Sequence, residues 1–328
     1  MTRERRSTLF ADSIVNRLIF ILIGVLLVAP AACAGAPGAD RAGDVEMRHL
    51  RVDGLQREYL LYLPKNAGKF TGPRPLIMVF HGGGGTAGFA WRETGPTLAR
   101  IADDNGVYLV FPNAVNKMWD FGAGKISETL EPRVDDAKFF ETILDRTNTE
   151  FDIDQKKIFA TGISRGGQAS YFIACRFPGR IRAIAPVAMP IPKFMTEICA
   201  DAPPVGVAMI LGTDDPIVPY GGGEIEVFNQ QRGEVLSAAD SAAFWRDRND
   251  CLADAQATKK IDTADDGMRV VKTEWRKCKG APVTLFKIVG GGHTWPSGKQ
   301  YLPSSIVGPV NHDIDAGVEA WRFFSEFK

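Results

Sequence analysis

Three runs of nearly unbroken apolar residues constrain this chain most: "IRAIAPVAM", "VGVAMILGT" and "VTLFKIVGG". A strand with one solvated face alternates apolar and polar side chains, whereas a strand buried on both faces does not. Burial on both faces belongs to parallel sheets covered by helices, so these runs predict an α/β architecture. Other segments fit it. "REYLLYLP", "RPLIMVFHG" and "VYLVFP" read as strands, and "KKIFATGI" is a further β-favouring run. "WRETGPTLARIADDNG" ends in a helix that stops at Asn105-Gly106. "VDDAKFFETILDRTNTEF" is amphipathic, with Phe139, Ile143 and Leu144 on one face, and "DIDAGVEAWRFFSEF" is a capped helix. After residue 45 there is no internal repeat and no low-complexity linker. The expectation is a single α/β domain over residues 35–328, with a central, mostly parallel sheet and helices on both faces.

Residues 1–34 read as a secretory leader. A basic stretch, "MTRERRSTLFADSIVNR", precedes the apolar "LIFILIGVLLVA" and the small residues of "PAACAGA". The apolar run is short for a membrane span, so no stable span is expected in the mature chain. Cleavage after Ala34 fits the small residues Ala32 and Ala34. Cys33 offers a lipid-anchored alternative, against which Pro30 stands where such signals carry Leu. Export sets how the remaining cysteines read. Cys175, Cys199, Cys251 and Cys278 are an even set, which in an oxidising compartment suggests two disulfides. Three pairings are open. The two short loops, Cys175 with Cys199 and Cys251 with Cys278, suit the chain order best, at about 3 kcal/mol each in the loop-entropy account. No C-x-x-C or paired histidine accompanies them, so no metal site is expected. Acidic and basic residues cancel, 39 against 39, and no basic stripe points to nucleic acid.

In open α/β sheets chemistry lies outside the carboxyl ends of the strands. Four polar stretches directly follow a predicted strand: "HGGGG" at residues 81–85, Ser164, Asp214-Asp215, and His293. Ser164 sits in Gly162-Ile163-Ser164-Arg165-Gly166, a G-x-S-x-G expected by accident only about 0.1 times in a chain this rich in glycine. Its surroundings supply the context that gives the motif a mechanism, with a β-run before it. After it, Ala169, Phe172, Ile173 and Phe177 fall at helical spacing. A tight strand-to-helix turn lifts a serine oxygen clear of the sheet. Serine, carboxylate and histidine follow in the order Ser, Asp, His, one of the three chain orders of serine hydrolases.

Of four histidines, His49 and His81 precede the serine and His312 sits at the start of the last helix. His293 is left, on the flexible "GGGHTWP". A carboxylate is needed to hold the imidazole in the right tautomer, and the sequence leaves Asp214 and Asp215 both open. Attack on an ester creates an oxyanion, which needs preorganised N–H donors. The glycines of "HGGGG" expose backbone amides, and the amide of Arg165 supplies a second donor. A phosphate cradle is excluded because no G-K-[ST] follows. Trp119, Tyr220 and Trp295 are candidates for the apolar walls of a substrate pocket, with a packing role as the alternative for the two tryptophans.

From about residue 50 onward the chain resembles secreted esterases of the polyhydroxybutyrate depolymerase type, close to feruloyl and acetyl-xylan esterases. The matching stretches are "GLQREYLLYLP", "FHGGGG", "VDDAKFF", "IFATGISRGG", "RIRAIAPVA", "LGTDDPIVPY", "GGGHTWPSG" and "DIDAGVEAWRFF". The resemblance implies an α/β-hydrolase fold, places the triad acid at Asp215 and the first oxyanion donor at Gly83, and makes Cys251–Cys278 the family's disulfide. One departure stands out. The residue after the nucleophile is usually small or Asn in such proteins and is Arg165 here, so its side chain crowds the acyl pocket or meets an anionic group of the substrate. Depolymerases of solid polyester resemble chains with an added linker and surface-binding module. The expected substrates are therefore soluble: hydroxyalkanoate oligomers, or aryl and acetyl esters of plant polysaccharide. The reading is an exported serine esterase that needs no cofactor. An amide or peptide hydrolase on the same scaffold, or a non-catalytic binding protein with a hydrolase fold, are the alternatives.

Overall fold

A computed structural model describes residues 43–65, 67–252 and 256–327. The expected leader, its cleavage position and Cys33 lie outside the described residues. The strands are β1 (Val45–Val52), β2 (Leu55–Tyr62), β3 (Arg74–Phe80), β4 (Tyr108–Pro112), β5 (Ile153–Ile163), β6 (Ala183–Val187), β7 (Gly206–Gly212), β8 (Gly223–Val227), β9 (Gln230–Val235), β10 (Gln256–Ile261), β11 (Arg269–Trp275) and β12 (Val283–Val289). The α-helices are α1 (Ala87–Asn105), α2 (Asp136–Glu150), α3 (Arg165–Arg176), α4 (Lys193–Ile198), α5 (Ala238–Arg248), α6 (Ser304–Val307) and α7 (Ala316–Phe324).

Ten strands form one sheet in the order β1-β2-β4-β3-β5-β6-β7-β12-β11-β10. Its middle, from β4 to β12, is parallel, and antiparallel pairs extend it at both ends. The unbroken apolar runs are the middle strands, for the expected reason: each buries both faces. In β3, Met78 and Phe80 join a core with Phe139, Phe140 and Phe172 of α2 and α3. The alternate residues Ile77 and Val79 join a second core, with Leu98 of α1 and Phe323 and Phe324 of α7. Each such side chain contributes ~1.5–3 kcal/mol by leaving water. Phe159 of β5 stacks on Phe324 with ring centroids 4.7 Å apart, so Phe159→Ala would separate α7 from the sheet and cost about 3–5 kcal/mol.

Caps explain where the helices start. Thr86 accepts a hydrogen bond from Phe89 N, so α1 begins at Ala87. It ends at Gly106 in the left-handed conformation. Asp135 caps α2 and Asp315 caps α7 in the same way. Cys175, near the end of α3, bonds to Cys199 after α4, and Cys251 bonds to Cys278. Among the described residues no helix is long and apolar enough to cross a membrane.

Candidate active site

The parallel strands β3, β5, β7 and β12 all end near one another, and each hands a polar residue to the same region. Ser164 is the single residue between β5 and α3. Its backbone is at φ 57 and ψ −123, a conformation that costs a non-glycine residue ~1–3 kcal/mol and persists only where its surroundings enforce it. Packing enforces it here. A Cβ on Gly162 would lie 2.5 Å from Phe80 O, and one on Gly166 would lie 2.2 Å from the same oxygen. The helix therefore starts hard against β3, and only glycine fits on either side of the serine. Ser164 N donates to Val187 O at 2.9 Å. Its hydroxyl makes no hydrogen bond within the protein among the described residues, which is common before substrate binds.

His293 follows β12 and Asp215 follows β7, its neighbour in the sheet. His293 Nδ1 and Asp215 Oδ2 are 2.7 Å apart, and both side chains are buried. A carboxylate oxygen can only accept, so Nδ1 carries the proton and Nε2 keeps its lone pair. The other oxygen of Asp215 accepts from Ile217 N and Val218 N, both at 2.8 Å, which fixes the carboxylate. Asp214 is exposed and its carboxylate accepts from Thr213 Oγ1 instead. From the outer side, Tyr301 donates to His293 O at 2.9 Å. Tyr301 was not singled out by the sequence, where no pattern marks it.

The glycine loop after β3 runs beside the serine: a Cβ on Gly82 would lie 3.5 Å from Ser164 Cβ, and one on Gly83 would lie 3.8 Å from Arg165 Cβ. Among the described residues neither the Gly83 nor the Arg165 amide donates to a protein acceptor. His81 braces this loop. Ala114 N donates to its Nε2 at 3.1 Å, so Nδ1 carries the proton and donates to Gly82 O at 2.8 Å. Burial lowers the His81 pKa to about 4, and the ring stays neutral at physiological pH.

Ser164 and His293 line a cleft of about 720 Å³, with Phe89, Trp295, Tyr301 and Phe228 among its walls. Trp119 and Tyr220 do not line it. Trp119 is fully buried, where its Nε1 donates to His81 O at 2.9 Å and its ring lies against His81; it holds the glycine loop from behind. Tyr220 is half-buried, with Lys287 Nζ over its ring. The hairpin β8–β9 supplies a wall the sequence reading missed, through Ile225, Phe228 and Arg232. Its signal was the alternation in "GEIEV". Arg165 does not crowd the cleft. Its guanidinium turns away to donate to Trp119 O at 2.5 Å and Gln168 Oε1 at 2.8 Å. A second cavity, of about 580 Å³ beside Asp120 and Arg133, contains none of these groups. Among the described residues no group of three or more His, Cys, Asp or Glu side chains is placed to hold a metal ion.

No family model matches the chain. It is 25% identical to feruloyl esterase D of Neurospora crassa, over 95% of this chain and 98% of that protein. It is 27% identical to feruloyl esterase B of Piromyces equi over 70% of this chain, which is 42% of that longer protein. Among solved structures, the acetyl xylan esterase from Aspergillus awamori superposes with a TM-score of 0.53 at 12% identity, over 85% of this chain and 99% of that one. The last likeness places the sheet and its helices in the α/β-hydrolase fold.

Proposed function

We propose that this chain, a carboxylic ester hydrolase of the esterase-like α/β-hydrolase family, is an exported serine esterase acting through Ser164, His293 and Asp215. Nε2 of His293 takes the proton of Ser164 Oγ as the serine attacks the ester carbonyl. The amides of Gly83 and Arg165 donate to the oxyanion. His293 then protonates the leaving alcohol, and water attacks the acyl-enzyme with the same imidazole as base. Asp215 holds the imidazole in the tautomer this needs and stabilises its cation. The observation that carries the reading is the hydrogen bond from His293 Nδ1 to Asp215 at the cleft that also holds the strained Ser164.

Aryl and acetyl esters of plant polysaccharide, or soluble hydroxyalkanoate oligomers, are the substrate classes proposed. The names of the relatives support the first, and a largely apolar cleft suits both. Two disulfides support export, since such bonds persist in oxidising compartments. A panel of aryl, acetyl and hydroxybutyryl esters tests the reading. At least one should be turned over, and Ser164→Ala should lower that turnover on the order of 10⁴-fold or more without unfolding the protein. Near-normal turnover in the variant would sink the assignment.

A further inference from the structure

Arg165 is a buried cation whose counter-charges are already taken. Its side chain is 5% exposed, and its Nε is buried with no acceptor. The carboxylates that act on it from a distance are Asp120 and Asp136. Each is held by another arginine: Asp136 by Arg57 at 2.6 Å, and Asp120 by Arg133 at 2.6 Å. Among the described residues no carboxylate makes an ion pair with Arg165, and burial pushes its pKa down to about 9, still protonated at neutral pH.

A second arginine adds to this charge. Arg232 lies on β9, where the strand alternation puts it on the same side as the buried Ile225, and both line the cleft of Ser164. Its guanidinium donates to Gln230 Oε1, and no described carboxylate pairs with it. Its charge acts against that of Arg165. Two carboxylates also line the cleft. Glu226 is exposed and paired in register with Gln231, on the other side of the hairpin from Arg232. Glu93 lies toward Tyr301, accepts from Lys299 N, and is pushed up by burial toward its neutral form. Beside the cleft, then, stand two arginines, Arg165 in its wall and Arg232 on the hairpin, with which no described carboxylate pairs. Two cations beside one largely apolar cavity, Arg165 behind its wall and Arg232 on it, repel each other, and a bound anion offsets that cost.

We propose that the cleft takes an ester bearing a free carboxylate, which Arg232 grips directly while the field of the buried Arg165 draws it in. The inference rests on the esterase reading and narrows its substrate class. An arginine fork matches a carboxylate bidentately, and a low-dielectric wall strengthens the pairing. Monoesters of dicarboxylic acids carry the charge on the acyl arm, and acylated hydroxy acids carry it on the alcohol arm.

The test uses two matched pairs at low ionic strength. Para-nitrophenyl hemisuccinate against para-nitrophenyl butyrate probes the acyl arm. The butyrate ester of para-hydroxybenzoate against that of para-hydroxybenzamide probes the alcohol arm. In each pair the ratio of kcat/KM values, charged over neutral, is compared between the parent, Arg232→Gln and Arg232→Lys. On one arm the ratio should fall about tenfold in Arg232→Gln and recover in part in Arg232→Lys. A ratio that stays within about twofold on both arms would overturn the proposal. If the parent cleaves none of the four and none of the aryl, acetyl and hydroxybutyryl panel, the esterase reading fails instead. Calorimetric binding of monomethyl succinate, retained by the parent and lost in Arg232→Gln, then still supports the anion site, and no binding by the parent overturns it.

Discussion

Two loops of this molecule look alike in sequence, "HGGGG" after β3 and "GGGHTWP" after β12, and they do opposite work. Both are glycine-rich, both follow a strand of the parallel sheet, and both carry a buried histidine, 0% and 3% exposed. His81 faces only backbone and an indole. One ring nitrogen donates to Gly82 O, the other accepts from Ala114 N, and Trp119 covers the ring. Burial outweighs the favour that Gly82 O gives a charged ring, so the imidazole is neutral and acts as a strut. His293 faces Asp215, which stabilises a cation on the ring, and among the described residues its second nitrogen has no protein partner. Composition does not separate these roles. What the ring faces does.

The sharpest way to break the contrast is to remove each ring. His293→Ala is expected to lower kcat on the order of 10⁴-fold or more while far-ultraviolet circular dichroism stays unchanged. The neighbouring acid should follow closely. Asp215→Asn should cost about 10³–10⁴-fold in kcat, and Asp214→Asn should stay within about twofold, because Asp214 is exposed and turned to Thr213. A larger loss at Asp214 would reverse the assignment. His81→Ala should behave differently in kind. It leaves the Ala114 amide unpaired in the interior and takes one of two donors from Gly82 O, which Gly85 N still serves, costing about 1–3 kcal/mol of stability by denaturant unfolding, with a fall in kcat on the order of 10–10²-fold as the oxyanion loop loosens.

The same histidine gives a pH signature. Burial depresses the folded-state pKa of His81 to about 4, from the ordinary imidazole value of 6.5. Between those values the unfolded chain binds a proton that the folded one does not, so stability is full above about pH 6.5 and falls as pH drops toward 4. The loss approaches about 3 kcal/mol, and His81→Phe should flatten this part of the stability profile. A profile equally steep in that variant would mean another group is responsible. The smallest expected effect is at Trp295, which is 5% exposed and lines the cleft beside His293. Trp295→Ala should raise KM for aryl esters about tenfold and lower kcat less; both constants within about twofold of the parent would remove it from the pocket.

The middle of the sheet was legible because burial on both faces leaves an apolar run that few other structures explain. Its edges were not. β10, "QATKKI", is exposed along almost its whole length, β1, "VEMRHLRV", is a half-solvated strand whose charges mask the alternation, and β8–β9 is a hairpin of only eleven strand residues, five and six, rich in Gly, Glu and Gln. Missing that hairpin meant missing a wall of the cleft and Arg232 with it. The strand-end positions of Ser164 and His293 could be read from chain order and strand context. Adjacent carboxylates could not be told apart by position, since which of Asp214 and Asp215 turns inward depends on the amides of Ile217 and Val218. Trp119 and Tyr220 were expected in the cleft because large aromatics after strands often line pockets. Trp119 packs on His81 behind the glycine loop, and Tyr220 packs against the core beside Lys287. The direction of the Arg165 side chain was likewise unreadable, being set by a carbonyl 46 residues away in the chain.

The most direct measurement is labelling with a fluorophosphonate, which bonds only to a serine activated by its neighbours. The account predicts one label per folded chain, carried by the peptide that contains Ser164 when the digest is mapped by mass spectrometry. It also predicts that labelling disappears in Ser164→Ala, falls steeply in His293→Ala and persists in His81→Phe. A folded parent that takes no label, or takes it on a different serine, would contradict the account.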